Sequence, residues 1–152
     1  MKVKISKIAE EIDCQPDESS MFYNTEDGEV YLVSDYEMHI ADDDDPVDNL
    51  PEWQKEQIQL AKQIIAGDQY IRLPDKWDIH EYSIMEKFCL KVADPKVSEA
   101  LQVAIQGKGA FRRFKDVCHR FKVIDQWYSY KAEALKEVAI AWCEDHNLEY
   151  EE

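Results

Sequence analysis

The sequence is short of glycine, with 4 in 152 residues, and short of positive charge, with 18 Lys and Arg against 33 Asp and Glu. Each scarcity excludes something. A dinucleotide-binding loop needs a strand and then three spaced glycines, but Gly107 and Gly109 follow a helical segment and Arg112 stands at the third position. A phosphate loop needs Gly-Lys-Ser/Thr, and here Gly107-Lys108 runs into Gly109. The four cysteines, Cys14, Cys89, Cys118 and Cys143, form no CxxC pair, so neither a zinc cluster nor a disulfide framework is indicated. Reduced thiols in a cytoplasmic protein are the expectation. No apolar run approaches the ~20 residues of a membrane span, and the charges in MKVKISKIAEEID argue against a signal peptide.

Catalytic and metal signatures are missing as well. No GxSxG serine motif occurs. His80-Glu81 is half of a zinc-protease HExxH, but Ile84 occupies the place of the second histidine. The run Asp42 to Asp45 lacks the alternating oxygens and central glycine of a calcium loop, because Pro46 and Val47 fall among those positions. No metal and no cofactor is expected.

What is present belongs to a packed protein. The hydrophobic fraction is 45%, and 152 residues suit a single domain with an acidic portion over 1–74 and a helical portion over 75–152. Ile5, Ile8, Ala9 and Ile12 make one face of a helix over 5–13. MFYNTEDGEVYLV carries two strand-like runs, 21–24 and 29–33, around Asp27-Gly28, the signal of an antiparallel hairpin. Residues 35–48 read as an exposed acidic loop after a single helical turn. Pro51 opens a helix to residue 66 with Trp53, Ile58, Ala61, Ile64 and Ile65 inward, and residues 69–74 can add a third strand.

From Asp75 the pattern is helical. Asp78 and Glu81 have the spacing of a capping box for a helix over 78–92 that buries Tyr82, Met85, Phe88, Cys89 and Val92. Asp94-Pro95 opens a helix that ends before Gly107. Phe111, Phe114, Cys118 and Phe121 give a buried stripe to a third helix, 110–122. A fourth runs from Asp125 to His146 with Tyr128, Leu135, Val138, Ala139 and Trp142 inward, and Asn147 suits its left-handed stop. The expected class is therefore α+β and predominantly helical: a small N-terminal antiparallel hairpin unit, extendable to three strands, packed on a C-terminal cluster of about four helices.

Charge is uneven. Residues 1–70 hold 18 acids and 5 bases, whereas GKGAFRRFKDVCHRFK, residues 107–122, holds six Lys or Arg and one Asp. The net charge of -15 repels phosphate backbones, which disfavours nucleic acid. Arg112, Asp116 and Arg120 form an i, i+4, i+8 ladder able to pair within itself. Gly107-Lys108-Gly109 precedes a helix N-terminus, which makes Lys108, Gly109, Arg112, Arg113 and Arg120 a candidate anion site. His80, Glu81 and His119 are the candidate acid/base groups, because an imidazole and a carboxylate can share proton transfer near neutral pH.

LPDKWDIHEYSIMEKFC, GKGAFRRFKDVCHRF and WYSYKAEALKEVAIAWCEDHNL, in that order after an acidic N-terminal portion, resemble a family of bacterial proteins catalogued only as uncharacterised. The resemblance is close over residues 70–148 and looser before them. It implies a cytoplasmic bacterial protein and transfers no activity, cofactor or catalytic residue. The functional expectation is a noncatalytic binding or regulatory module for a protein partner or a small anionic ligand, without a membrane role and with self-association left open. The alternative is a small hydrolase or transferase using His80 or His119 with a nearby carboxylate. A partner surface made by the acidic residues 35–48 is a third.

Overall fold

A computed structural model describes residues 2–152. The architecture is α+β and mostly helical, and the chain separates into two compact units, Met1–Asp75 with Ala139–Glu152, and Lys76–Val138.

In the first unit, β1 (Val3–Lys4) leads into α1 (Ile5–Asp13), whose Ile5, Ile8, Ala9 and Ile12 are buried as their spacing predicts. The hairpin consists of β2 (Ser19–Asn24) and β3 (Val30–Ser34), which pair antiparallel from Tyr23↔Val30 to Ser19↔Ser34. Its loop is fixed locally: the Asn24 side chain accepts from the Glu26 amide at 2.8 Å, and Gly28 takes a left-handed φ of 73°. Further along the chain, the third strand β4 (Tyr70–Arg72) pairs antiparallel with the other edge of β2, giving the order β3-β2-β4. The sheet's middle strand is buried from Ser20 to Asn24, so it shows none of the alternation that marks a half-exposed strand.

Between the hairpin and β4, the structure departs from expectation. Residues 35–43 form a nine-residue helix, α2 (Asp35–Asp43), where the acidic run reads as loop. Ser34 caps it by accepting from the Glu37 amide at 3.1 Å, and the Glu37 carboxylate accepts in return from the Ser34 amide at 3.1 Å. This reciprocal cap starts the helix early enough to carry it into the aspartates. Polar contacts then support its acidic end: His39 lies 3.0 Å from Asp43, and Lys62 forms an ion pair with Asp44 at 3.1 Å. The following helix, α3 (Glu52–Ala66), buries Ile58, Ala61 and Ile64 against Phe22, Val33 and Ile40. Trp53 and Ile65, expected inward, are exposed.

The second unit begins with the short α4 (Lys76–Ile79) and continues as α5 (Glu81–Lys91), α6 (Pro95–Ala104), α7 (Ala110–Arg120) and the part of α8 (Ile124–Asp145) up to Val138. The capping box expected at Asp78 and Glu81 is not formed, because His80 adopts a left-handed φ of 56° that ends α4 and starts α5 afresh. Asp94 does cap α6, accepting from the Lys96 amide at 2.9 Å with Pro95 behind it. The core joins Met85, Phe88 and Cys89 of α5, Leu101 and Ala104 of α6, Ala110, Phe114, Val117 and Cys118 of α7, and Trp127 of α8.

On α7 and α8 most residues expected inward are buried, Phe114 and Cys118 on the first and Leu135, Ala139 and Trp142 on the second, but some positions differ. On α7 the buried set is Ala110, Phe114, Val117 and Cys118, while Phe111 and Phe121 are exposed. On α8 Trp127 is buried and Tyr128 is half exposed. In each case two neighbouring positions fit a helical period, and packing selects between them. Trp127, Phe114 and Phe88 meet edge to face, with centroids 4.8 Å apart for Phe114–Trp127 and 5.5 Å for Phe88–Trp127.

Beyond Val138, α8 returns to the first unit, where the Trp142 indole donates to the Arg72 carbonyl at 2.8 Å and meets Tyr23 edge-on at 5.9 Å. Asn147, with φ 56°, stops the helix as predicted. The two-residue β5 (Tyr150–Glu151) then pairs parallel with β1, Val3 opposite Tyr150. Among the described residues no helix is long and apolar enough to cross a membrane. Because Phe114 is fully buried at the meeting point of three helices, Phe114→Ala is expected to cost ~3–5 kcal/mol of stability, read as a lower urea midpoint with an unchanged slope.

Candidate functional site

The basic segment splits three ways once it is folded. Arg113 turns back over the α6–α7 connection, where its Nε donates to the Ala104 carbonyl at 3.0 Å and its two terminal nitrogens donate to the carbonyls of Gln106 and Lys108. Those oxygens belong to the end of α6 and the turn after it, so the guanidinium acts as a cap on the helix's negative end. Gly107 and Gly109 take left-handed φ values of 72° and 76° in this turn, and a Cβ on Gly109 would lie 3.1 Å from an Arg113 nitrogen. The Gly-Lys-Gly turn therefore presents carbonyl oxygens to a cation held within the protein.

Arg120 and Asp116 share the second face of α7 with Arg113, and these three line a groove of about 610 Å³ against α6. Lys96 and Glu99 stand on the opposite rim, and Ala100, Val103 and Val117 supply apolar lining. Val103 is 67% exposed at this lining. Among the described residues no ion pair within 4.0 Å involves Arg112, Asp116 or Arg120, so the predicted ladder does not close. The groove's fixed charges are three cations and two anions.

Arg112, Lys108 and His119 lie outside this groove, and all three are exposed. Of the anion-site candidates, then, Arg113 and Arg120 come together, while Lys108 and Arg112 do not join them. The acid/base candidates also stay apart: His80 is exposed at the α4–α5 break, His119 is exposed on α7, and the Glu81 carboxylate takes an ion pair from Lys131 at 2.9 Å. Cys118, next to His119 in sequence, is fully buried, and that burial pushes its thiol up to about 11, well above a nucleophile's range at neutral pH. Among the described residues no three His, Cys, Asp or Glu side chains are grouped to hold a metal ion.

A second groove, of about 720 Å³, runs between α5 and α8, and sequence reasoning missed it. Phe88, Val92 and Tyr130 line it, with Asp125, Glu133 and Glu137 as its carboxylates. The cation Lys91 lies 5.4 Å from the centre of the Tyr130 ring. Asp125, Ser129, Glu133 and Glu137 recur every four residues along α8, a spacing that could have signalled a polar edge facing a neighbouring helix.

The helical unit thus presents two side grooves, one between α6 and α7 and one between α5 and α8. Comparison with known proteins places it further. Residues 1–151 match the uncharacterised protein family UPF0158, and the chain belongs to that family. It is similar to the UPF0158 protein PA5073 of Pseudomonas aeruginosa, with 30% identity over 67 residues, which span 43% of this chain and 44% of that protein. The matched segment thus covers less than half of this relative's length. No solved structure matches the chain.

Arg113 separates a structural from a ligand-binding reading of the basic turn. Arg113→Gln removes contacts to three carbonyls and is expected to lower stability by about 1–2 kcal/mol in chemical denaturation, with or without added phosphate.

Proposed function

We propose that this chain is a noncatalytic binding module of the bacterial cytoplasm that grips a segment of a partner protein in the α6–α7 groove. The observation that carries the reading is Val103, an exposed aliphatic side chain in a groove rimmed by Lys96, Glu99, Asp116 and Arg120. A free phosphate or other small anion would meet Glu99 and Asp116 together with the cations, and one of those cations, Arg113, is already engaged with carbonyl oxygens. A peptide segment offers an apolar side chain for Val103 and Ala100 and polar groups of both signs for the rim.

The division of charge supports a surface that sorts its partners. The unit formed by residues 76–138 carries 12 Lys or Arg and 9 Asp or Glu, a net of +3, whereas the other unit carries 6 and 24. Four free cysteines agree with a reducing compartment. The hydrolase or transferase reading needs a histidine beside a carboxylate in a concave site, and neither His80 nor His119 lines either groove.

A photo-crosslinking residue placed at position 103 in whole cells tests the proposal. It is expected to capture a discrete partner that Arg120→Glu displaces, because the rim charge is reversed beside the apolar contact. A probe that captures nothing, or the same products with Arg120→Glu, contradicts the α6–α7 groove as the binding site.

A further inference from the structure

The outer face of α7, away from both the core and the α6–α7 groove, carries Arg112, Lys115 and His119 at spacings of three and four, so they form one stripe along the helix. All three are exposed, and none takes part in an ion pair among the described residues. Phe111, 47% exposed, borders the stripe. The same unit contains the complement of this surface. The α5–α8 groove has an aromatic floor of Phe88 and Tyr130, and Asp125, Glu133 and Glu137 give it a negative edge. Its one cation, Lys91, rests near the Tyr130 ring, which shows that the floor accepts a positive group. Glu133 is shared with Lys136 at 3.3 Å, while Asp125 and Glu137 have no ionic partner among the described residues.

We propose that the chain self-associates, the basic outer face of α7 in one copy seating in the acidic α5–α8 groove of another. Phe111 supplies the apolar contact to the aromatic floor, and Arg112 and Lys115 face the carboxylates. In a reciprocal pair each copy gives one helix and one groove, so the contact is made twice about a two-fold axis. The net charge of the whole chain, -15, opposes association, but the unit that carries both surfaces has a net of +3, and short-range complementarity acts within a Debye length of ~8 Å at physiological salt. This contact does not use the α6–α7 groove, so it stands or falls separately from the function proposed above.

Sedimentation velocity on the purified full chain tests it. Wild type is expected to associate reversibly at physiological ionic strength and to dissociate as salt rises. Glu133→Lys with Glu137→Lys gives a groove that repels α7, and Arg112→Glu with Lys115→Glu gives an α7 that repels the groove. Each doubly substituted protein alone is expected to be monomeric, and an equimolar mixture of the two is expected to associate, because both contacts in the mixed pair are then attractive. The milder Glu133→Gln with Glu137→Gln, which keeps side-chain shape, is expected to raise the dissociation constant at least about tenfold. A monomeric wild type, a charge-reversed variant that associates like wild type, or a mixture of folded variants that stays monomeric overturns the proposal. So does a wild type that stays monomeric and instead binds an unrelated basic peptide in the groove.

Discussion

Trp127 packs edge-on against Phe114 and Phe88, and through those two rings α8 is joined to α7 and α5. Such aromatic pairs contribute ~0.5–1.5 kcal/mol each beyond the area they bury. The contact has a cost, since the indole N–H of Trp127 is buried without a hydrogen-bond partner among the described residues, a loss of about 1–3 kcal/mol. Keeping an orphaned donor there is intelligible if the ring's area matters more than its polar edge. The consequence for function is geometric. With α5, α7 and α8 fixed by this cluster and α6 laid against it, the residual clefts between neighbouring helices become the two grooves.

Helix α7 then serves three purposes on three faces. Ala110, Phe114, Val117 and Cys118 complete the core. Arg113, Asp116 and Arg120 line the cleft with α6, and Arg113 also ties down the preceding turn. Arg112, Lys115 and His119 face water. A basic segment in an acidic chain is therefore not a single site. It is a capping residue, a groove wall and an exposed stripe.

Much of the scaffold was legible because it is written in local chemistry. The helix at 5–13, the Asp94-Pro95 start and the Asn147 stop all depend on residues adjacent to the feature they determine. Helix α2 was legible too, in the Ser34-x-x-Glu37 spacing, but the four aspartates at its C-terminal end suggested a loop. The choice between Phe111 and Ala110, or between Tyr128 and Trp127, was not legible, since a helical period admits both and the neighbouring helix decides. The pairing of β1 with β5 joins residues at opposite ends of the sequence through two positions each, too short for any pattern to announce. The role of Arg113 lay equally out of reach, for it depends on three carbonyls converging in space, while its sequence neighbours pointed to an anion.

The proposed self-association joins the stripe on α7 of one copy to the groove beside α8 of another, both on the exterior of the 76–138 unit. Amide hydrogen exchange of the whole chain, followed by mass spectrometry over a wide range of protein concentration, addresses it most directly. The account predicts that protection grows with concentration in peptides covering residues 110–122 and 125–137, and stays constant over 5–43. Concentration-dependent protection confined to the acidic first unit, or none anywhere, would contradict it.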